Sequence, residues 1–191
     1  MKTFLMSCAL ISAFSTPIAA QETASPGSDY LAISEPAFNG NLSAVQEQLG
    51  RGIAVDLTDD EMHTPLMWAA FNGHSPVVAY LLENGAKPDA QDVNGRTALM
   101  YASSGPFPET VELLLKNGAG VNIQGKSEGF TALMMATAEG QLEVARLLLV
   151  YGAATEIIDR DGDTARSFAL EKGHSAIIQL LDNPPDKNSS P

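Results

Sequence analysis

The chain has 191 residues, 45% of them hydrophobic, and carries 23 acidic against 11 basic side chains for a net charge of -12. That length suits one domain, and the apolar content excludes wholesale disorder. The acid excess excludes nucleic acid as a partner, because too few cations are present to neutralise phosphates along a groove.

The first twenty residues differ in kind from the rest. Lys2 gives a positive start, Phe4 to Phe14 is largely apolar, and Ser15-Thr16-Pro17 breaks the run before Ile18-Ala19-Ala20. This order of charge, greasy centre and small residues predicts a signal peptide over 1–20, cleaved after Ala20 to leave Gln21 as the new N-terminus. The apolar run is shorter than the roughly 20 residues that a permanent span needs. No second stretch resembles an anchor, so no stable membrane span is expected. Leu5-Met6-Ser7-Cys8 looks superficially like a lipoprotein box, but almost no apolar segment precedes it. Cleavage removes the chain's one cysteine, so the mature protein, expected in the periplasm or beyond, has no disulfide. Residues 21–29 read as a flexible segment.

From there a repeat sets the organisation. Thr64-Pro65-Leu66-Met67-Trp68-Ala69 aligns with Thr97-Ala98-Leu99-Met100-Tyr101-Ala102 and with Thr131-Ala132-Leu133-Met134-Met135-Ala136, at spacings of 33 and 34 residues. Thr164-Ala165-Arg166-Ser167-Phe168-Ala169 follows 33 later. A second motif keeps the same beat: Leu81-Leu82-Glu83-Asn84-Gly85-Ala86, Leu114-Leu115-Lys116-Asn117-Gly118-Ala119 and Leu148-Leu149-Val150-Tyr151-Gly152-Ala153. Each unit reads as two antiparallel helices. Thr64 caps the first, Pro65 fits its first position and Gly73 ends it; Ser75 and Pro76 repeat the cap-and-proline device. Val77, Val78, Leu81 and Leu82 form the buried face of the second helix, which Gly85 stops.

Five units result, at about 30–57, 58–90, 91–123, 124–157 and 158–183. The first lacks its Thr-Pro but keeps Ala37, Gly40, Leu42, Val45, Leu49 and Gly52 in register. The last ends at Asn183-Pro184-Pro185, where proline stops a helix, and 184–191 reads as a disordered tail. Degenerate end units are expected of a solenoid, since they cap its core against water.

These motifs resemble the ankyrin repeat, whose units open on T-P-L-H-x-A, and the likeness covers residues 30–183. The resemblance implies an all-α repeat solenoid, with loop or β-hairpin fingers projecting to one side. It further implies a monomeric module that binds a protein with its fingers and inner helices, without cofactor, metal or catalysis. With its leader the chain resembles exported bacterial members of the family, some of which are associated with peroxide resistance beside a catalase. The signature histidine is replaced by Met67, Met100 and Met134, read as core packing rather than a redox or soft-metal row. Trp68, Tyr101, Met135 and Phe168, one place on, are likewise read as core.

The family pattern places the groove at His63, Arg96, Phe130 and Asp163, just before each Thr, and at Phe71, Asn72 and Glu139 further along. Phe71 and Phe130 are candidate aromatic anchors for a partner, the alternative being that each leans onto its neighbouring repeat. The first finger holds Asp56, Asp59, Asp60 and Glu61; the last holds Glu156, Asp159, Asp161 and Asp163. Acidic tips suit a basic partner. Asp159 to Asp163 faintly resembles a calcium loop but lacks the downstream glutamate and reads as a turn. Ser103–Thr110, with its displaced glycine and two prolines, is expected to turn differently from its counterparts. An extra residue near Gln124–Ser127 lengthens the third finger and makes its tip a candidate for mobility. Of the three histidines, His74 and His174 hold the same repeat place three units apart, too far to share a metal, and no nucleophile, phosphate-loop or metal-spaced motif occurs. Two functions fit: a scaffold that supports a partner enzyme or oxidative-stress resistance, and an inhibitor or immunity protein that occludes a basic toxin or hydrolase.

Overall fold

A computed structural model describes residues 26–185. The expected leader with Cys8 and Ala20 lies outside the described residues, as do 186–191. Five helix pairs follow in order: α1 (Pro26–Phe38) with α2 (Leu42–Gly50), α3 (Pro65–Phe71) with α4 (Ser75–Glu83), and α5 (Ala98–Ser103) with α6 (Pro108–Lys116). Then come α7 (Ala132–Ala138) with α8 (Leu142–Val150) and α9 (Ala165–Lys172) with α10 (Ser175–Asp182). First helices stack on first helices and second on second, which is the all-α solenoid expected. α1 begins inside the 21–29 stretch read as flexible, so residues 26–29 are its opening turn rather than tail. No helix of the described residues is long and apolar enough to cross a membrane.

Capping explains where each first helix starts. Thr64, Thr97, Thr131 and Thr164 all have extended backbone and accept a hydrogen bond from the N–H three residues on. In two units a methionine completes the exchange: the Thr64 N–H donates to Met67 Sδ and the Thr131 N–H to Met134 Sδ, both at 3.4 Å. The methionine row is therefore core, as read, but it also satisfies a backbone donor that a plain hydrocarbon would orphan. Met67, Met100 and Met134 are all buried.

The second helices depart from expectation. Ser75 is inside α4 and His74 is the cap residue, with no side-chain capping bond. Ser75 Oγ instead pairs with Thr110 Oγ1 of the next unit at 2.9 Å. Leu82 is only half-buried, while Val77, Val78 and Leu81 are buried as expected. The capping position carries a different device, a side chain reaching back to the preceding unit. His74 Nε2 lies 2.9 Å from Phe38 O and His174 Nε2 lies 3.2 Å from Ala138 O. Phe107 fills this place in the third unit and packs over Gly73, where a Cβ would fall 2.2 Å from the ring and the φ of 69° independently favours glycine. Pro106 contributes no N–H and the Phe107 N–H turns to Gly105 O, so the 103–110 turn does differ from its counterparts, as anticipated.

The fingers are loops; among the described residues no strand is present. They are nonetheless ordered by carboxylates. Oδ1 of Asp59 accepts from the N–H of Glu61 and His63, Asp92 from Asn94 and Arg96, and Asp159 from Asp161 and Asp163. Asp159 is thus a turn-former, consistent with reading that loop as structural. Each tip also bonds the next through backbone: Val93 N–H to Glu61 O, Lys126 N–H to Asn94 O and Arg160 N–H to Glu128 O. The lengthened third tip is consequently tied down rather than loose, with Lys126 and Ser127 both donating to Asn94 O. Further ties run from Asp56 to the Lys87 N–H, Asp89 to the Gly120 N–H and Asn122 to the Ala154 N–H.

Candidate functional site

The row read as core, Trp68, Tyr101, Met135 and Phe168, is only half-buried. Its side chains project from the first helices beside the fingers, and at the N-terminal end they assemble a ring cluster. Trp68 meets Phe38 edge-on at 5.8 Å and Phe71 at 6.5 Å, and lies tilted against His63 at 4.7 Å; Phe71 in turn meets Tyr101 edge-on at 6.1 Å. T-shaped pairs at such distances are favourable beyond the area they bury.

Hydrogen bonds knit the cluster from beneath. Trp68 Nε1 donates to the Tyr30 hydroxyl at 2.5 Å, which donates to Asp59 Oδ2 at 3.2 Å. His63 Nδ1 lies 2.9 Å from the same oxygen. A carboxylate can only accept, so Nδ1 carries the imidazole proton. On the far side His63 Nε2 faces the buried Asp92 at 3.8 Å, and Tyr101 donates to Asp92 Oδ2 at 2.7 Å. Burial alone would raise the Asp59 pKa. The ring and backbone N–H of His63, its charge and the Tyr30 hydroxyl outweigh that and hold it below the ordinary value. Burial, with the Asp92 carboxylate next, pushes the Tyr101 phenol up, and burial does the same for Tyr30.

His63 is accordingly not the groove contact that the sequence suggested. It is 8% exposed and joins Asp59 of its own finger to Asp92 of the next. Phe71 is open, at 42% exposure, and lies in the cluster. Asn72 Nδ2 donates to Phe38 O at 2.7 Å, a tie between units. Arg96 is half-buried and pairs with Glu128 at 3.3 Å across two fingers. Phe130 leans onto its neighbouring repeat: it is half-buried, packing edge-to-face on Phe168 at 5.4 Å over Met134 and Met135. Asp60, Glu61, Glu139, Asp161 and Asp163 are exposed. The first two lie on the first finger and the last two on the fourth, so the acidic tips stand apart with fingers two and three between them. Among the described residues, no group of three or more His, Cys, Asp or Glu side chains could hold a metal ion.

The sequence marks a first unit at 30–57 but singles out no residue of its first helix, α1, for the binding face. Tyr30, Leu31, Glu35, Phe38, Asp59 and Trp68 line a hollow of about 370 Å³ at the N-terminal end of this face. Leu31 and Phe38 are 59% and 41% exposed there. The signal was available: Phe38 lies 33 residues before Phe71 and Tyr30 lies 33 before His63. A second feature is Met62, half exposed with φ of 64°, at the turn place where the other three fingers carry Gly95, Gly129 and Gly162.

Comparison with known proteins agrees with this architecture. The family model described as ankyrin repeats (3 copies) matches residues 31–125 and 104–190. A Notch-regulated ankyrin repeat-containing protein B from Danio rerio is 41% identical over 54 residues, 28% of this chain and 49% of that protein. Notch-regulated ankyrin repeat-containing proteins from Xenopus tropicalis and Homo sapiens are each 39% identical over 54 residues, 28% of this chain and 47% of theirs. The chain spans about half the length of the curated relatives it matches.

Proposed function

Because the chain belongs to the ankyrin-repeat family, we propose that it is a protein-binding module of the bacterial cell envelope, exported by a cleaved leader and holding a partner on its concave aromatic face. Repeats of this kind typically mediate protein–protein interaction. The observation that carries the reading is the open aromatic strip of Phe38, Trp68 and Phe71, where large rings remain part-exposed on a rigid scaffold. Rigid aromatic anchors are the residue class that dominates interface energetics. In this reading the bound protein is an envelope enzyme that the module supports, with oxidative-stress resistance as the physiological readout.

One observation favours a second reading. Residues 26–86 hold eight carboxylates and one cation, Arg51, a field suited to occluding a basic toxin or hydrolase. Pull-down from a periplasmic extract separates the two: a partner enzyme still active in the complex supports scaffolding, and a silenced one supports inhibition. Capture unaffected by Phe71→Ala, expected to weaken it at least fivefold, removes the concave face from the reading. N-terminal sequencing of the mature protein should begin at Gln21, and a lipidated Cys8 would overturn the cleaved leader.

A further inference from the structure

The hollow at the N-terminal end combines features that the rest of the concave face lacks. Its walls are aromatic and aliphatic, from Trp68, Phe38 and Leu31. Its rim carries Glu35 and Asp59. Asp59 is saturated by His63, Glu61 and Tyr30, so its charge is fixed in place. Glu35 is exposed, and among the described residues its carboxylate has no ion-pair partner. The one cation on residues 26–86, Arg51, bonds Gln48 instead. Apolar walls under an uncompensated negative rim suit a side chain with an aliphatic stem and a cationic head.

We infer that this hollow receives an arginine side chain from a basic segment of the partner, its stem against Leu31 and Phe38 and its guanidinium between Trp68 and the Glu35 carboxylate. This rests on the binding reading above and gives that partner its local chemistry. Charge complementarity chooses the occupant: a purely apolar anchor would leave the rim unanswered, and a second copy of this chain would bring more negative charge to it. Arginine is preferred to lysine because its planar head both stacks on a ring and forks onto a carboxylate.

Trp68 is the only tryptophan of the chain, so its fluorescence reports this hollow alone. The full chain is titrated with an acetylated Gly-Arg-Gly-Arg-Gly peptide and with its citrulline counterpart, which keeps the shape and removes the charge. A saturable change in Trp68 emission is expected with arginine, about tenfold weaker with citrulline and weakened by salt. Glu35→Gln, an exposed substitution that leaves folding intact, should weaken it roughly threefold. Trp68→Phe, followed by anisotropy of a labelled arginine peptide, should also bind less tightly. Equal binding of the two peptides means an apolar occupant and overturns the proposal. Emission that changes on dilution without peptide means a second copy, and emission unmoved by either peptide means a hollow that is closed or empty; each also overturns it. If labelled peptide binds both variants as it binds the original, the arginine sits elsewhere on the acidic surface and the proposal fails. Loss of partner capture with peptide binding intact would instead break the binding-module reading and leave the hollow's cation chemistry standing.

Discussion

The two ends of the concave face are built on the same repeat positions and end up as opposite surfaces. At the N-terminal end Trp68 is propped open by Tyr30, His63 and Asp59, so that Phe38, Phe71 and Leu31 are left facing solvent. At the C-terminal end Phe168 occupies the place of Trp68, but Phe130 closes on it and only about 20 Å³ of space remains between them. The difference lies in the residue before the threonine. In one finger it is an imidazole that two carboxylates pull inward; in another it is a phenyl ring with no polar partner, which can only be satisfied by covering its neighbour. One repeat pattern thus carries an open, hydrogen-bonded ring cluster at one end and a covered ring pair at the other.

The largest expected effect tests how much of the fold each aromatic centre carries. Trp68→Ala removes a ring that contacts Phe38, His63 and Phe71 and a donor that Tyr30 accepts, and should cost about 3 kcal/mol. Phe168→Ala loses one ring pair at the last unit and should cost about 2 kcal/mol. Urea unfolding midpoints with unchanged slopes would check both. Equal losses would show that the hydrogen-bonded centre is no more integral than the shut pair.

Next comes the tie itself. His63→Ala deprives Asp59 of its imidazole donor and Asp92 of its imidazole neighbour, and should cost about 2 kcal/mol. The equivalent Asp163 is exposed and its carboxylate has no partner among the described residues, so Asp163→Ala should stay within about 0.5 kcal/mol of the original. Thermal denaturation of the pair would settle whether this repeat position matters only where it is buried.

Acid dependence sharpens the same contrast. The folded pKa of Asp59 is depressed, so its contribution is present above the unfolded carboxylate value of about 3.9 and is lost as pH falls through the folded one. Asp59→Asn should be less stable near neutrality and show a flatter acid limb. Unfolding free energies measured between neutral and strongly acidic pH would read this; parallel curves would break the assignment of that limb to Asp59.

How far the sequence disclosed all this depends on the range of the interaction. Helix pairs were legible because threonine caps and stop glycines act within a few residues, and they recur at a fixed spacing. Contacts between units were not. Whether His63 faces a partner or Asp92 is decided by a residue 29 positions away, and periodicity holds no information on that choice. The sequence leaves Phe130 open between anchor and packing for the same reason, since the ring it covers belongs to the next unit. The hollow escaped notice because α1 lacks the Thr-Pro that marks its siblings, which hid Phe38 and Tyr30 although both keep the register.

The smallest expected effect concerns a strain present at only one end. Met62 holds a left-handed backbone where the fourth finger uses Gly162, a conformation that costs a side-chain-bearing residue roughly 1–2 kcal/mol. Glycine relieves that cost but gives back part of it through the freer unfolded chain, so Met62→Gly should stabilise by about 1 kcal/mol in urea titration. A position that loses stability by keeping methionine, half exposed and three residues from the rim carboxylate Asp59, is explained if its thioether touches the partner. Met62→Gly should then weaken partner capture about threefold while raising the unfolding midpoint. Gly162→Ala should do the reverse of the first effect and none of the second, losing about 1 kcal/mol with capture unchanged. Stabilisation of Met62→Gly with capture intact would detach the first finger tip from the binding surface and confine that surface to the rings below it.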